Sequence, residues 1–160
     1  MIDTIDVTLS SDVSAADARG RCPNRTSRVA AGLESEPRLD RPTPQVLVVD
    51  DDPAILDVLD EFVGDDLGLA VARASNGAAA LAAIAARRPD LVLLDLRMPV
   101  LDGFEACRRL KADPATRAIP VVAVSADGNR GAALACGCDD FLAKPFDLDA
   151  IERVVRRWLA

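Results

Sequence analysis

Histidine is absent from all 160 residues, and so is tyrosine. The first absence excludes imidazole acid–base catalysis, Ser-His-Asp triads and histidine-ligated metal sites. Aromatic residues make up only 3% of the chain, so its core must come from the aliphatic side chains within a 50% hydrophobic content. The four cysteines, Cys22, Cys107, Cys136 and Cys138, include no Cys-x-x-Cys pair. A zinc site would need all of them at irregular spacing, so they read as small, mostly buried apolar residues in a reducing compartment. An excess of basic charge is lacking too: the formal net charge is -7 and the pI is near 4.6, which argues against nucleic acid as a direct partner. No apolar run approaches membrane-spanning length. Asp3 and Asp6 stand where a secretory leader would carry basic and then apolar residues. Together these features predict a soluble, cytoplasmic protein with one ordinary domain.

What is present divides into two parts. Residues 1–43 mix Ser, Thr, Asp, Arg and Pro without a sustained period of 2 or 3.6. Such a stretch has little apolar surface to offset its ordering entropy, and it predicts a disordered extension ending in the linker Pro42-Thr43-Pro44. A short helix from Val13 to Arg19 would have nothing to bury it.

Residues 44–160 form the predicted domain. Val46 to Val49 and Leu91 to Leu94 are continuous apolar runs bounded by breakers, the pattern of strands buried on both faces. Leu69 to Ala74 is a weaker strand, Ile119 to Val124 a fourth and Phe141 to Ala143 a short fifth. Between them the spacing predicts helices. The first runs from Pro53 to about Gly64, with Ile55, Leu59, Phe62 and Val63 on one face and Leu56 and Val58 widening it. Others span Ala78 to Ala86, Phe104 to Lys111 and Arg130 to Cys136, the last ending at Gly137. The final helix, Asp147 to Leu159, turns Leu148, Ile151, Val154, Val155 and Trp158 inward. Strands alternating with helices imply right-handed crossovers and an α/β fold, a five-stranded parallel sheet covered on both sides.

Each strand of this pattern, except the weak second one, ends in a polar residue. Asp50 and Asp51 follow the first strand, Asp95 ends the third, Ser125 follows the fourth and Lys144 the fifth. Parallel strands point the same way, so these residues gather at one rim, where open α/β sheets place their ligands. Crowded carboxylates repel one another. A hard divalent cation removes that cost, and an all-oxygen cluster suits Mg²⁺, which keeps positions open for phosphate oxygens. Asp95 is then a candidate nucleophile that would become an aspartyl phosphate. Lys144 would pair with the phosphate and the Ser125 hydroxyl would donate to it.

At this point VVDDDPAI, LVLLDLRMPVLDG, VVAVSA and FLAKPF resemble, in order, the motifs of the receiver domain of two-component response regulators. The resemblance covers residues 45–160. It implies a flavodoxin-like, doubly wound sheet of strand order 2-1-3-4-5, for which a chemotaxis receiver is a known example. By position it makes Asp95 the phosphoacceptor, Ser125 the switch hydroxyl and Lys144 the phosphate-pairing lysine before a proline whose peptide bond is usually cis. It assigns Mg²⁺ to Asp50, Asp51, Asp95 and the backbone carbonyl of Arg97. It also implies a histidine kinase or phosphotransferase as donor and a downstream protein docking on the strand 4–helix 4–strand 5–helix 5 face, with no direct nucleic acid or membrane partner. The chain stops at Ala160, directly after the last helix, so a stand-alone regulator or phosphorelay intermediate is expected.

Two features depart from the family pattern. Phe141 occupies the aromatic position that commonly toggles with the switch hydroxyl, and it has no hydroxyl of its own. The interval from Ser125 to Lys144 is a few residues short, which trims the region after strand 4. Plainer roles are expected elsewhere: a helix cap at Asp52, turn and cap at Asp102 beside Gly103, and solvated charges at the Arg97 side chain and at Asp139 and Asp140. Arg153, Arg156 and Arg157 read chiefly as a solvated face near a helix C-terminus, with docking to an acidic partner as the other reading. Two rival functions remain in view. A pseudo-receiver would use the fold without phosphate, leaving the five site residues idle. A metal-dependent phosphohydrolase would need an acid–base carboxylate two residues beyond its nucleophile, and Arg97 stands there. No enzyme activity on an external substrate is therefore expected.

Overall fold

The computed structural model describes residues 42–160. The expected extension, its possible helix at Val13 to Arg19, and Cys22 lie outside the described residues, apart from the linker residues Pro42 and Thr43. Five strands, β1 (Gln45–Val49), β2 (Ala70–Ala74), β3 (Leu91–Asp95), β4 (Val121–Ser125) and β5 (Asp140–Ala143), form one sheet of order β2-β1-β3-β4-β5. Every pairing is parallel. The parallel sheet is the one expected from the alternation of apolar runs and helical segments, and its doubly wound, flavodoxin-like order is the one the resemblance implies. β3 is buried along its whole length, whereas β2 lies at the edge and is only partly covered, which accounts for its weaker hydrophobic signal.

Alternation along the central strands builds two cores. Leu47, Val49, Val92, Leu94, Val121 and Ala123 face α2 (Gly77–Ala86), α3 (Gly103–Ala112) and α4 (Arg130–Ala135). Val46, Val48, Leu91, Leu93, Val122 and Val124 face α1 (Pro53–Glu61) and α5 (Leu148–Leu159). Helices therefore cover both faces, and the near-continuous apolar runs are explained by burial on each side. Every α helix opens on a side-chain cap. The Asp52, Asn76, Asp102, Asn129 and Asp147 carboxyl or amide oxygens accept from backbone N–H groups of the first turn. Such a cap contributes about 1 kcal/mol, and these five also fix where each chain segment leaves the rim of the sheet.

Several local expectations need correction. Gly64 lies near the end of the first helix without closing it; the chain continues as a π-helical turn over Phe62–Asp66, and Gly68, at φ +68°, ends it. Val58 and Leu148, expected inward, are 50% and 40% exposed. Periodicity marks a hydrophobic face, but the width of that face is set by the neighbours available to cover it. Ile119 is buried yet not part of β4, because its amide bonds to the Thr116 carbonyl in a preceding turn. α4 has only six residues, against nine to twelve in the other α helices, in keeping with the short interval before Lys144.

The loop from β3 to α3 carries one strained residue. Val100 has φ +72° and is 87% exposed. A β-branched residue is poorly suited to the left-handed region, and no packing compensates it. Val100→Asn is expected to raise stability by about 1 kcal/mol, roughly 4 °C in melting temperature, in a calorimetric comparison. An unchanged or lowered value would show that the loop relaxes around valine without strain.

Candidate functional site

Strand register brings the polar ends together. Val49 pairs with Leu94, so Asp50 and Asp95 are neighbours on adjacent strands. Asp95 pairs with Val124, one residue before Ser125, and Ser125 pairs with Ala143, one residue before Lys144. Four of the predicted side chains thus reach one point because each follows, or ends, a strand of matched length. Asp50, Asp95 and Ser125 are buried, Lys144 is half-buried and Asp51 is exposed.

Lys144 joins the acids. Its Nζ donates to Asp50 Oδ2 at 2.6 Å and to Asp95 Oδ2 at 3.2 Å. The remaining oxygens are held by backbone: Asp50 Oδ1 accepts from the Asp52 amide at 2.9 Å, and Asp95 Oδ1 from the Arg97 amide at 3.1 Å. Ser125 Oγ receives a long 3.5 Å contact from the Asp127 amide, and its backbone carbonyl accepts from the Lys144 amide at 3.0 Å. The Lys144–Pro145 peptide is cis. Burial pushes the Asp95 carboxyl above its ordinary value, against the Arg97 amide and the Lys144 charge, with Asp50 adding repulsion. Burial also works to lower the Lys144 ammonium, but the hydrogen bond and charge of Asp50, with those of Asp95, outweigh it and hold it above its ordinary value.

Carboxylate oxygens of Asp50, Asp51 and Asp95 lie within 4.8 Å of one another. Three carboxylates and the one ammonium between them leave a formal charge of -2, which a divalent cation cancels. Hard oxygen donors in a partly open site are the set that Mg²⁺ takes, so the residues present fit that ion. Asp52 is a cap, as expected, and accepts from the Ala54 amide at 2.9 Å. Asp102 caps α3 by accepting from the Glu105 amide. Gly103 is required by close approach rather than by an unusual backbone angle. A Cβ there would overlap the Asp95 carbonyl oxygen and stand 2.7 Å from Leu96 Cα, so α3 can begin directly beneath the end of β3 only with glycine.

The structure also adds residues that had no sequence signal. Arg97, expected to be solvated, forms an ion pair with Asp127 across the two loops that flank Asp95, although its side chain is 74% exposed. Asp139 and Asp140 are not a solvated loop. Asp139 Oδ2 accepts from the Val121 amide at 2.8 Å and from Lys111 Nζ at 2.7 Å. Asp140 is buried at the start of β5 and pairs with Arg157 at 3.3 Å and, at 3.8 Å, with Arg130. Arg156 pairs with Glu152, leaving less of the final helix as an unpaired basic face than the sequence suggests.

Comparisons with known proteins identify the family and agree with the fold. A family model described as the response regulator receiver domain matches residues 46–156. The regulator RpaA of Synechocystis is 38% identical over 122 residues, covering 72% of this chain and 49% of its own. The response regulator PleD of Caulobacter vibrioides is 44% identical over 106 residues, covering 64% of this chain and 23% of its own. The chain thus spans about half the length of the first and about a quarter of the second. Among solved structures, the receiver domain of the sensor histidine kinase PA1611 from Pseudomonas aeruginosa superposes with a TM-score of 0.68 at 33% identity. That match covers 74% of this chain and 98% of the other, which holds a magnesium ion coordinated in its active-site cleft.

The raised Asp95 carboxyl sets a pH-dependent stability. A folded-state value above the ordinary 3.8 means the folded protein binds the proton more tightly, so stability falls as pH rises through that raised value. In metal-free protein at neutral pH, Asp95→Asn is expected to raise the melting temperature. The advantage should shrink as pH is lowered toward the ordinary carboxylate range. An advantage independent of pH, or a loss of stability at neutral pH, would contradict the assignment of a charge penalty to Asp95.

Proposed function

Since this chain belongs to the response regulator receiver family, we propose that it is a phosphorylation switch of two-component or phosphorelay signalling with Asp95 as its acceptor. The observation that carries the reading is the Lys144 ammonium set between two buried carboxylates, with a third carboxylate beside them. An Asp95 oxygen attacks the phosphorus of a donor phosphohistidine; the new P–O bond forms as the P–N bond breaks, and the donor imidazole takes up a proton. These 160 residues contain no histidine, and the reading takes a histidine kinase or phosphotransferase as the donor. Arg97 N–H and Lys144 hold the carboxylate in place before transfer. Asp50, Asp51, Asp95 and the Arg97 carbonyl would hold Mg²⁺, which when bound screens the phosphoryl oxygens as a Lewis acid.

After transfer, the Ser125 hydroxyl and Lys144 bond to phosphoryl oxygens. Both residues lie at the ends of neighbouring strands, β4 and β5, so their movement biases the face made by β4, α4, β5 and α5. Phe141, half-buried against the core on α4's side of the sheet, follows without a hydroxyl to anchor it. The reading has the switch work through protein–protein contacts in the cytoplasm. Among the described residues no helix is long and apolar enough to cross a membrane. Action as a phosphohydrolase is disfavoured because Arg97, paired with Asp127, occupies the position where an acid–base carboxylate would be required. A phosphate-independent module is disfavoured because it would leave the ammonium and the three acids on this rim without a role in its function.

Incubation with acetyl phosphate and Mg²⁺, followed by intact mass spectrometry, tests the reading. One phosphoryl group is expected on the wild type and none on Asp95→Asn, with Lys144→Ala at least about tenfold slower, the size expected for losing a charged group at a phosphoryl site. An adduct unaffected by Asp95→Asn, or no adduct at all, would overturn it.

A further inference from the structure

Away from the carboxylate rim, three sulphur atoms meet where α3, the end of α4 and the start of β5 converge. Cys107 on α3 and Cys138 just ahead of β5 are buried, and Cys136, at the end of α4, is partly exposed. Cys138 Sγ stands 3.4 Å from Cys107 Sγ and 3.7 Å from Cys136 Sγ, and all three atoms lie within 4.8 Å of one another. The local sequence produces this. Gly137, at φ +108°, turns the chain back after α4; its amide bonds to the Leu134 carbonyl and the Cys138 amide to the Ala133 carbonyl. This is a Schellman closure, and it returns the residue after the glycine to the end of its own helix. Cys136-Gly137-Cys138 therefore presents two sulphurs together, facing the third from α3.

Packing alone asks for small apolar residues here, not for three sulphurs in mutual contact. A centre bound through thiolates by bonds of about 2.3 Å spaces its sulphurs about 3.4–4 Å apart, so the cluster is near the geometry of a bound ion. Charge then selects the ion. The charged neighbours, Lys111 and Asp139, are paired with each other at 2.7 Å, and Lys111 Nζ also donates to the Arg117 and Ile119 carbonyls. Asp139 Oδ2 accepts from the Val121 amide as well. As a pair they add no net charge, and among the described residues no fourth His, Cys, Asp or Glu joins the three sulphurs. Three thiolates would leave a monovalent copper complex at -2, and a zinc complex at -1 with one tetrahedral position unfilled. A trivalent centre leaves no net charge to bury.

We infer that Cys107, Cys136 and Cys138 form a trithiolate site for a trivalent thiophilic metalloid of the arsenite class. Loading is a ligand exchange without change of oxidation state. Three As–O bonds of arsenous acid break and three As–S bonds form, and each thiol proton departs with a hydroxyl group as water. Entry is through Cys136, the partly exposed member. The Cys138 hydrogen bond holds the Cys107 thiol below its ordinary value against burial, whereas burial pushes the Cys136 thiol up and the hydrogen bond with Cys107, together with burial, pushes Cys138 up, so these two give up their protons only as the As–S bonds form. The bound centre would tie α3 to the short segment between Ser125 and Lys144. The site does not depend on the phosphoryl chemistry at Asp95.

Reduced full-length protein treated with sodium arsenite and desalted should show, by native mass spectrometry, one arsenic in place of three hydrogens. Cys107→Ala, Cys136→Ala and Cys138→Ala should each lose that adduct, while Cys22→Ala keeps it. Since a buried substitution can unfold the chain, wild-type protein gives an independent readout: arsenite should raise its melting temperature and arsenate should not. An adduct retaining a hydroxyl group, one that survives all three substitutions, no adduct, or displacement of arsenite by equimolar zinc or copper(I) would each overturn the inference.

Discussion

Asp50 and Asp95 lie side by side at the ends of adjacent strands, both almost out of solvent, and the Lys144 ammonium stands within hydrogen-bond distance of each. Two buried carboxylates at that separation would repel strongly in a medium less polar than water, and breaking such a group by removing its cation costs on the order of 3–5 kcal/mol. The ammonium arrives from β5, with β3 and β4 between it and β1, so the contact requires the whole central sheet in register. That requirement explains features far from the carboxylates. Apolar residues fill both faces of β1, β3 and β4, Gly103 lets α3 start against the end of β3, and Asp52 begins α1 two residues after Asp50.

The same contact is incomplete. One ammonium does not neutralise three carboxylates, and the Asp95 carboxyl is correspondingly raised by burial. The surplus of two negative charges is what a divalent cation would cancel, and under the proposed function the Lys144 ammonium would turn from these acids toward an added phosphoryl group. Ser125, with only a long contact at its Oγ, is similarly uncommitted to a strong partner. Charge placed on Asp95 would therefore be felt first at the ends of β4 and β5.

Much of this was legible in the chain itself. Asp50, Asp51, Asp95, Ser125 and Lys144 each follow or end an apolar run, and parallel strands carry such residues to one edge without any knowledge of side-chain contacts. Asp52 and Gly137 were legible because caps and helix ends are local. What was not legible depended on partners distant in sequence. The pairing of Arg97 with Asp127 and the burial of Asp140 beneath Arg157 arise only when separate loops and helices meet. The three-cysteine cluster is of the same kind, because Cys107 is 31 residues from Cys138. Val58 and Leu148 show the complementary limit: an apolar residue on the correct helical face stays exposed where no neighbour reaches it.

Asp51 gives the most direct access to the central claim, because it is exposed and its replacement disturbs the fold least among the site residues. The measurement is the melting temperature of the wild type and of Asp51→Asn over a Mg²⁺ titration. A metal that binds the folded state should stabilise the wild type progressively, by about 2.7 kcal/mol at one hundred times its dissociation constant. Asp51→Asn should need at least about tenfold more Mg²⁺ for the same shift, the loss of roughly 1.4 kcal/mol of binding energy. Equal titrations for the two proteins, or no stabilisation of the wild type, would contradict the claim that these acids form one Mg²⁺-dependent site.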